Sequence, residues 1–218
     1  MSSEKKIKYY SPTEEMINIY SHVVGLILSI LALVFLVIHA SALGNVLHLV
    51  SFSVFGVSLV VLYGASVLYH SAKEPALRRR LRVFDHISIY ILIAGSYTPF
   101  TLVTLKGETG WILFGVAWGI ALSGIILKLF FTGKYKVVST SMYLALGWMV
   151  MFAIKPLLEN LSADGVFWLV AGGLAYTVGA ILYAIPKIKF NHAIFHLFVL
   201  MGSFSHYMAV YFYVLPHQ

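Results

Sequence analysis

The 218-residue chain contains no cysteine, which excludes disulfides and thiolate metal ligands, so a transition metal must be held by nitrogen and oxygen donors. Charge is scarce as well. Only 11% of residues are Asp, Glu, Lys or Arg, against 60% hydrophobic, and a chain of this size cannot hide that much apolar surface in a water-soluble fold. No long polar stretch, Gly/Ser or Pro-rich linker or extended charge run interrupts it, so residues 1–218 read as one domain. No strand-like alternation competes with the long apolar runs, and those runs are twice the length of a barrel strand. The N-terminus lacks the short apolar core and small-residue cleavage site of a secretory signal, and Glu4, Glu14 and Glu15 are unlike a mitochondrial presequence. The first hydrophobic segment is therefore expected to stay in the mature protein.

What is present is a series of apolar segments of the length that spans a bilayer as helices. Seven are expected, near 16–40, 45–70, 84–105, 111–131, 138–157, 165–185 and 192–214. The fold class is thus an all-α membrane protein, a seven-helix bundle. The first start carries a local signature, with Ser11 as N-cap, Pro12 at the first helical position and Glu14 completing a capping box. With the N-terminus taken as cytoplasmic, the inner segments hold Lys5, Lys6, Lys8, Lys73, Arg78, Arg79, Arg80, Arg82, Lys128, Lys134, Lys136, Lys187 and Lys189. The outer loops hold only Lys106 and Lys155. That bias sets the N-terminus inside and the C-terminus outside, in a multi-pass protein of the plasma (inner) membrane. The net charge of +7 has the same origin, and the Arg78 to Arg82 loop is expected against anionic headgroups, not nucleic acid.

On this topology a group of polar residues gathers at one depth on the cytoplasmic side. His70 ends the second helix, Asp85 opens the third after the basic loop, and His192 and His196 open the seventh, with Asn18 and His22 in the first turns of helix one. Ser66 precedes His70 by four residues, as His192 precedes His196, so each pair shares a helical face about 6 Å apart along the axis. Two histidines so spaced can chelate one ion, and His70 as a third ligand leaves a fourth position for water, the open arrangement of catalytic zinc. An isolated His-x-x-x-His is a weak signal; the convergence is what strengthens it, because ionisable groups within a membrane need a partner or a function. His86 is an alternative ligand, but its direction differs from that of Asp85 by about 100°.

Other positions keep two readings. His206 lies about 15 Å beyond His196 and either lines a cavity or is a hydrogen-bonded core residue. His22 could bind metal, orient a ligand, or pair with Glu15 or Asp85, and structural pairing is the default. His39, His48 and His217 fall near the outer face and need no functional reading. Gly115-x-x-x-Gly119 and Gly172, Gly173 and Gly179 are expected to allow close helix packing. Pro99 should kink helix three and free the Gly95 carbonyl, with Tyr97 and Thr98 either satisfying freed groups or facing a cavity.

The run Glu15-Met-Ile-Asn18-Ile-Tyr-Ser-His22-Val-Val-Gly25, the pair Ser66-x-x-x-His70, the stretch from Asp85-His86 through Ile89-Tyr90 to Ala94-Gly95-Ser96-Tyr97-Thr98-Pro99, and His192-x-x-x-His196 together resemble the hemolysin III family. That family sits within the superfamily of progestin and adiponectin receptors, and the resemblance covers essentially the whole chain. It implies seven helices with a cytoplasmic N-terminus and zinc held by His70, His192 and His196. Asp85 would contact the metal-bound water with Ser66 nearby. Apart from the resemblance, Asn18, Glu15, His22, His86 and His206 are candidates for a second layer around the site. Grouping with alkaline ceramidases implies hydrolysis of a lipid amide, with a fatty-acyl ligand in the bundle and Asp85 as the base. A structural zinc site in a regulator of membrane lipid or energy homeostasis is the alternative. A pore-forming lysin fits a Gly-rich bundle poorly, and a retinal protein is excluded because residues 192–214 contain no lysine. The sequence leaves the oligomeric state open.

Overall fold

The computed structural model describes residues 9–131 and 136–215, so Lys5, Lys6, Lys8, Lys134 and His217 lie outside the described residues. Seven helices are long and apolar enough to cross a membrane: α1 (Pro12–Leu43), α2 (Val46–Ser71), α3 (Pro75–Leu105), α4 (Gly107–Phe131), α5 (Val138–Asn160), α6 (Ala163–Ala184) and α7 (Asn191–Val214). They match the expected segments in number and order, and there is no strand among the described residues. Consecutive helices pack as neighbours and α1 also packs on α7, which closes a ring. Most of α3 is buried, whereas less than a third of α1, α4, α5 and α6 is. α3 therefore forms the bundle's interior, and its neighbours present their apolar surface outward.

Local chemistry explains the helix ends. Ser11 Oγ accepts from the Glu14 amide at 3.3 Å, and Pro12 occupies the first turn, where a missing N–H costs nothing. The reciprocal arm of the expected capping box is not made: Glu14 Oε1 is buried without a hydrogen-bond partner. Asn45 and His48 form a full capping box at α2. Glu74 caps α3 by accepting from the Ala76 and Leu77 amides, and these bonds hold its carboxyl below the usual carboxylate range.

That cap corrects the expected third segment. α3 starts at Pro75, ten residues before Asp85, so the cluster from Arg78 to Arg82 lies in the first turns of a helix and not in a loop. Arg78 does not reach for headgroups. It is 2% exposed, and its Nη1 donates to the carbonyls of Tyr69, His70 and Ala72 at 3.3, 3.2 and 3.1 Å. Those carbonyls end α2, where a cation is favoured.

Pro99 stays within α3, and the chain continues from it as a π-helical turn over Phe100–Leu105, the adjustment by which a membrane helix absorbs a proline. Thr98 Oγ1 donates to the Ala94 carbonyl at 2.9 Å and accepts from Trp118 Nε1 at 3.2 Å. Tyr97 serves a different break. Its hydroxyl donates to the Gly147 carbonyl and accepts from the Val150 amide, at 2.8 and 2.9 Å, where α5 passes into a 3-10 stretch over Met149–Ala153.

The glycines divide. A Cβ on Gly172 or Gly179 would lie within 2.6 Å of His206 or Phe198, so these two do permit close packing as expected, while at Gly173 the nearest group is Trp148 at 3.9 Å. Gly115 and Gly119 do not: nothing lies within 4 Å of either added Cβ. The buried face of α4 is instead Ala117, Ala121 and Gly124, and a Cβ on Gly124 would meet the Tyr90 ring at 2.3 Å.

Candidate metal centre

α2 delivers His70 on its last turn, and α7 delivers His192 and His196 on its first two, all three buried. His70 Nε2 lies 3.1 Å from His192 Nε2, which lies 3.1 Å from His196 Nε2. The three ligand atoms fall within 4.8 Å of one another.

Glu15 fixes the donor role of one ring nitrogen. Its Oε2 is 2.6 Å from His70 Nδ1, and because a carboxylate only accepts, that nitrogen donates. A neutral His70 then turns a lone pair toward the cluster. His192 Nε2 could donate to one neighbouring ring but not to both, so protons alone leave at least one close contact unfavourable. A shared cation satisfies all three lone pairs at once.

Glu15 is held in turn. Its Oε1 accepts from Arg78 Nη2 and from the Tyr10 amide, the latter at 3.4 Å. A carboxylate on the outer nitrogen of a ligating histidine fixes its tautomer and raises its basicity. Glu15 thus stands on the outer nitrogen of His70, where a carboxylate could orient that ring. Asn18 is also buried here, with Nδ2 3.5 Å from the same His70 nitrogen.

His22 departs from the expected pairing. Neither Glu15 nor Asp85 reaches it; its ring stacks on His196 with centroids 3.6 Å apart and planes 11° apart, and meets the Tyr63 ring edge-on at 5.0 Å. Glu15 is committed to His70 and Arg78 instead. His22 thus braces the face of the His196 ring, without a hydrogen bond of its own. Tyr10 packs in the same way on another of the three rings, stacked on His192 at 4.6 Å and 8°. Burial and the neighbouring Tyr183 push its phenol up, so it remains a neutral O–H. No sequence signal distinguished Tyr10 from any other interfacial tyrosine.

Asp85 and Ser66 stand beside the triad and outside it. The Asp85 carboxyl faces the Ser66 hydroxyl, with no hydrogen bond closed between them. His86 is not one of the three converging histidines; its carbonyl accepts from Tyr143 at 3.1 Å. Asp85, Ser66, His192 and His196 all open onto one cavity of about 730 Å³, which runs along α3, α5, α6 and α7 to Leu105 and Leu157 at the far end. His206 borders it deep in the bundle, so the cavity reading of that residue holds.

The family model for haemolysin-III related proteins matches residues 10–207. The chain belongs to this family. It is 49% identical over 203 residues to Hemolysin-3 of Bacillus cereus, covering 93% of each chain. It is 46% identical to the Hemolysin-3 homolog of Bacillus subtilis, covering 92% of this chain and 94% of that one. At 29% identity it also matches the human monocyte to macrophage differentiation factor, over 94% of this chain and 87% of the relative. This last likeness supports membership of the wider receptor superfamily. As a haemolysin III-type chain with seven apolar helices, it is a multi-pass membrane protein with three buried histidines able to hold a metal ion.

Proposed function

We propose that this haemolysin III-type protein is a zinc-dependent hydrolase of lipid amides whose metal is held by His70, His192 and His196. The observation that carries the reading is the convergence of three imidazole nitrogens on a long, mostly apolar cavity that also contains an unligated carboxylate. Tetrahedral zinc with Zn–N bonds of about 2.0–2.1 Å separates its nitrogens by about 3.3 Å, close to the 3.1 Å found here. A bound zinc would supply Lewis acidity and bring the pKa of its water toward neutrality.

The chain's own residues then divide the work. The cavity would take the acyl chain and exclude water from it, leaving the amide carbonyl beside the histidines. Asp85 would take a proton from the attacking water as its oxygen adds to the carbonyl carbon, and hand that proton to the amine as the C–N bond breaks. The products are a fatty acid and a free amine. Ser66 would orient Asp85 or donate to the oxygen on which charge develops. A carboxylate beside the metal and outside the triad suits a base better than a fourth ligand. The positive bias of one set of loops would set this end, and the site, on the cytoplasmic face of the plasma membrane.

The test is release of fatty acid from N-acyl lipids by purified protein in lipid nanodiscs, read by mass spectrometry. Wild type should turn over, and Asp85→Asn should keep its metal and lose turnover by several orders of magnitude. Equal rates in the two proteins would remove Asp85 as the base. A protein that binds zinc tightly and releases nothing from a broad panel would favour a purely structural metal.

A further inference from the structure

The chemistry proposed above uses one end of the cavity and leaves one interior histidine without a role. His206 lies ten residues beyond His196 on α7, about 15 Å further along the axis. It is 9% exposed and borders the same cavity. Neither ring nitrogen meets a partner at hydrogen-bonding geometry; the polar group beside it is the Leu169 backbone. Tyr176 touches the ring edge-on at 5.3 Å, but its hydroxyl is engaged with Ser203 Oγ at 3.0 Å.

The position has been accommodated, not merely tolerated. A Cβ on Gly172 of the facing helix would fall 2.2 Å from His206 Cδ2 and 2.6 Å from Nε2, so only a glycine there admits the ring. An imidazole left unsatisfied within a membrane is expensive, and an apolar side chain would fill the volume at no such cost. Leu169 and Val170, within one turn of Gly172 on the facing helix, line the cavity here, so a plain hydrocarbon chain passing the ring would leave at least one nitrogen without a partner. A neutral imidazole offers one donor and one acceptor, the complement of a hydroxyl, which can do both.

We propose that His206 is a hydrogen-bonding rung partway along the cavity that selects long-chain lipids carrying a hydroxyl in the middle of the acyl chain. This rests on the cavity being an acyl slot, and it is independent of whether hydrolysis occurs. The ring fixes where along the chain the oxygen must lie, and the histidine triad fixes where the polar head must lie. Together they act as a ruler about 15 Å long.

The experiment uses full-length Asp85→Asn protein in nanodiscs, so that no turnover competes. Displacement of a fluorescent fatty acid is measured with stearate and with monohydroxystearates bearing the hydroxyl near the carboxylate, in mid-chain or at the methyl end, each corrected for partition into the bilayer. The mid-chain isomer should bind about tenfold more tightly than stearate, the worth of one net hydrogen bond. Adding His206→Phe should abolish that preference and leave stearate binding intact. Equal affinity for all four acids, or a preference that survives His206→Phe, overturns the rung and leaves the acyl slot standing. Failure of every acid to displace the probe overturns the slot and the rung together.

Discussion

The two ends of the bundle use polar groups differently. At the end where α2 passes into α3, an acid, a guanidinium and a cluster of imidazoles are buried together, as Arg78 holds Glu15, Glu15 holds His70, and His70 meets His192. At the other end, α3 and α7 finish in π-helical turns over Phe100–Leu105 and Val210–Val214, and His39 Nε2 donates to the Leu215 carbonyl at 2.6 Å. One end spends charge, while the other satisfies backbone. Buried ion pairs repay their desolvation poorly as sources of stability, so concentrating them at one end points to positioning of the histidines as their purpose.

The sharpest way to break the contrast is to remove Arg78. Arg78→Met strands Glu15 and uncaps the last carbonyls of α2, and should destabilise the protein by about 3–5 kcal/mol, read by denaturant unfolding in detergent. Combining it with Glu15→Gln should cost less than the two singles added. A loss no larger than that of an exposed arginine would show that the pair does not anchor this end.

Glu15→Gln alone should leave the fold intact and weaken metal binding by about 10–100-fold, measured by competition with a chelator of known affinity. Unchanged affinity would mean that His70 needs no carboxylate to orient it. On the glycines, Gly172→Ala should cost about 1–3 kcal/mol through overpacking against His206, whereas Gly115→Ala should stay within about 0.5 kcal/mol. The same thermal melts decide both, and equal effects would contradict the open space found around Gly115. Tyr97→Phe, which leaves the Gly147 carbonyl and the Val150 amide unpaired beside a cavity that water can enter, should cost about 1 kcal/mol, read in the same melts.

The same contrast explains what could be read from the sequence. Run length alone yields seven spans, because a bilayer demands about 20 apolar residues, and the four-residue spacing of His192 and His196 fixes a shared face whatever surrounds it. The basic cluster misled because hydropathy sees four arginines and reports a loop, while Glu74-Pro75, a cap followed by a first-turn proline, was the local signal that α3 had already begun. Gly115-x-x-x-Gly119 gave the right spacing on the wrong face, since small residues four apart say nothing about which neighbour they meet. His22 and Arg78 were legible as polar residues near the site, but not their partners. Glu15 could pair with either, and only the packing of α1 against α2 and α7 assigns it to His70 and Arg78. The cavity, a property of five or more helices at once, leaves no trace in any one of them.

Metal content of detergent-purified protein by plasma mass spectrometry, comparing wild type with His192→Ala and Asp85→Asn, addresses the central claim most directly. The expected result is about one zinc per chain, lost in His192→Ala and retained in Asp85→Asn. Folded wild-type protein that has never met a chelator and carries no metal, or a His192→Ala variant that keeps its zinc, would contradict it.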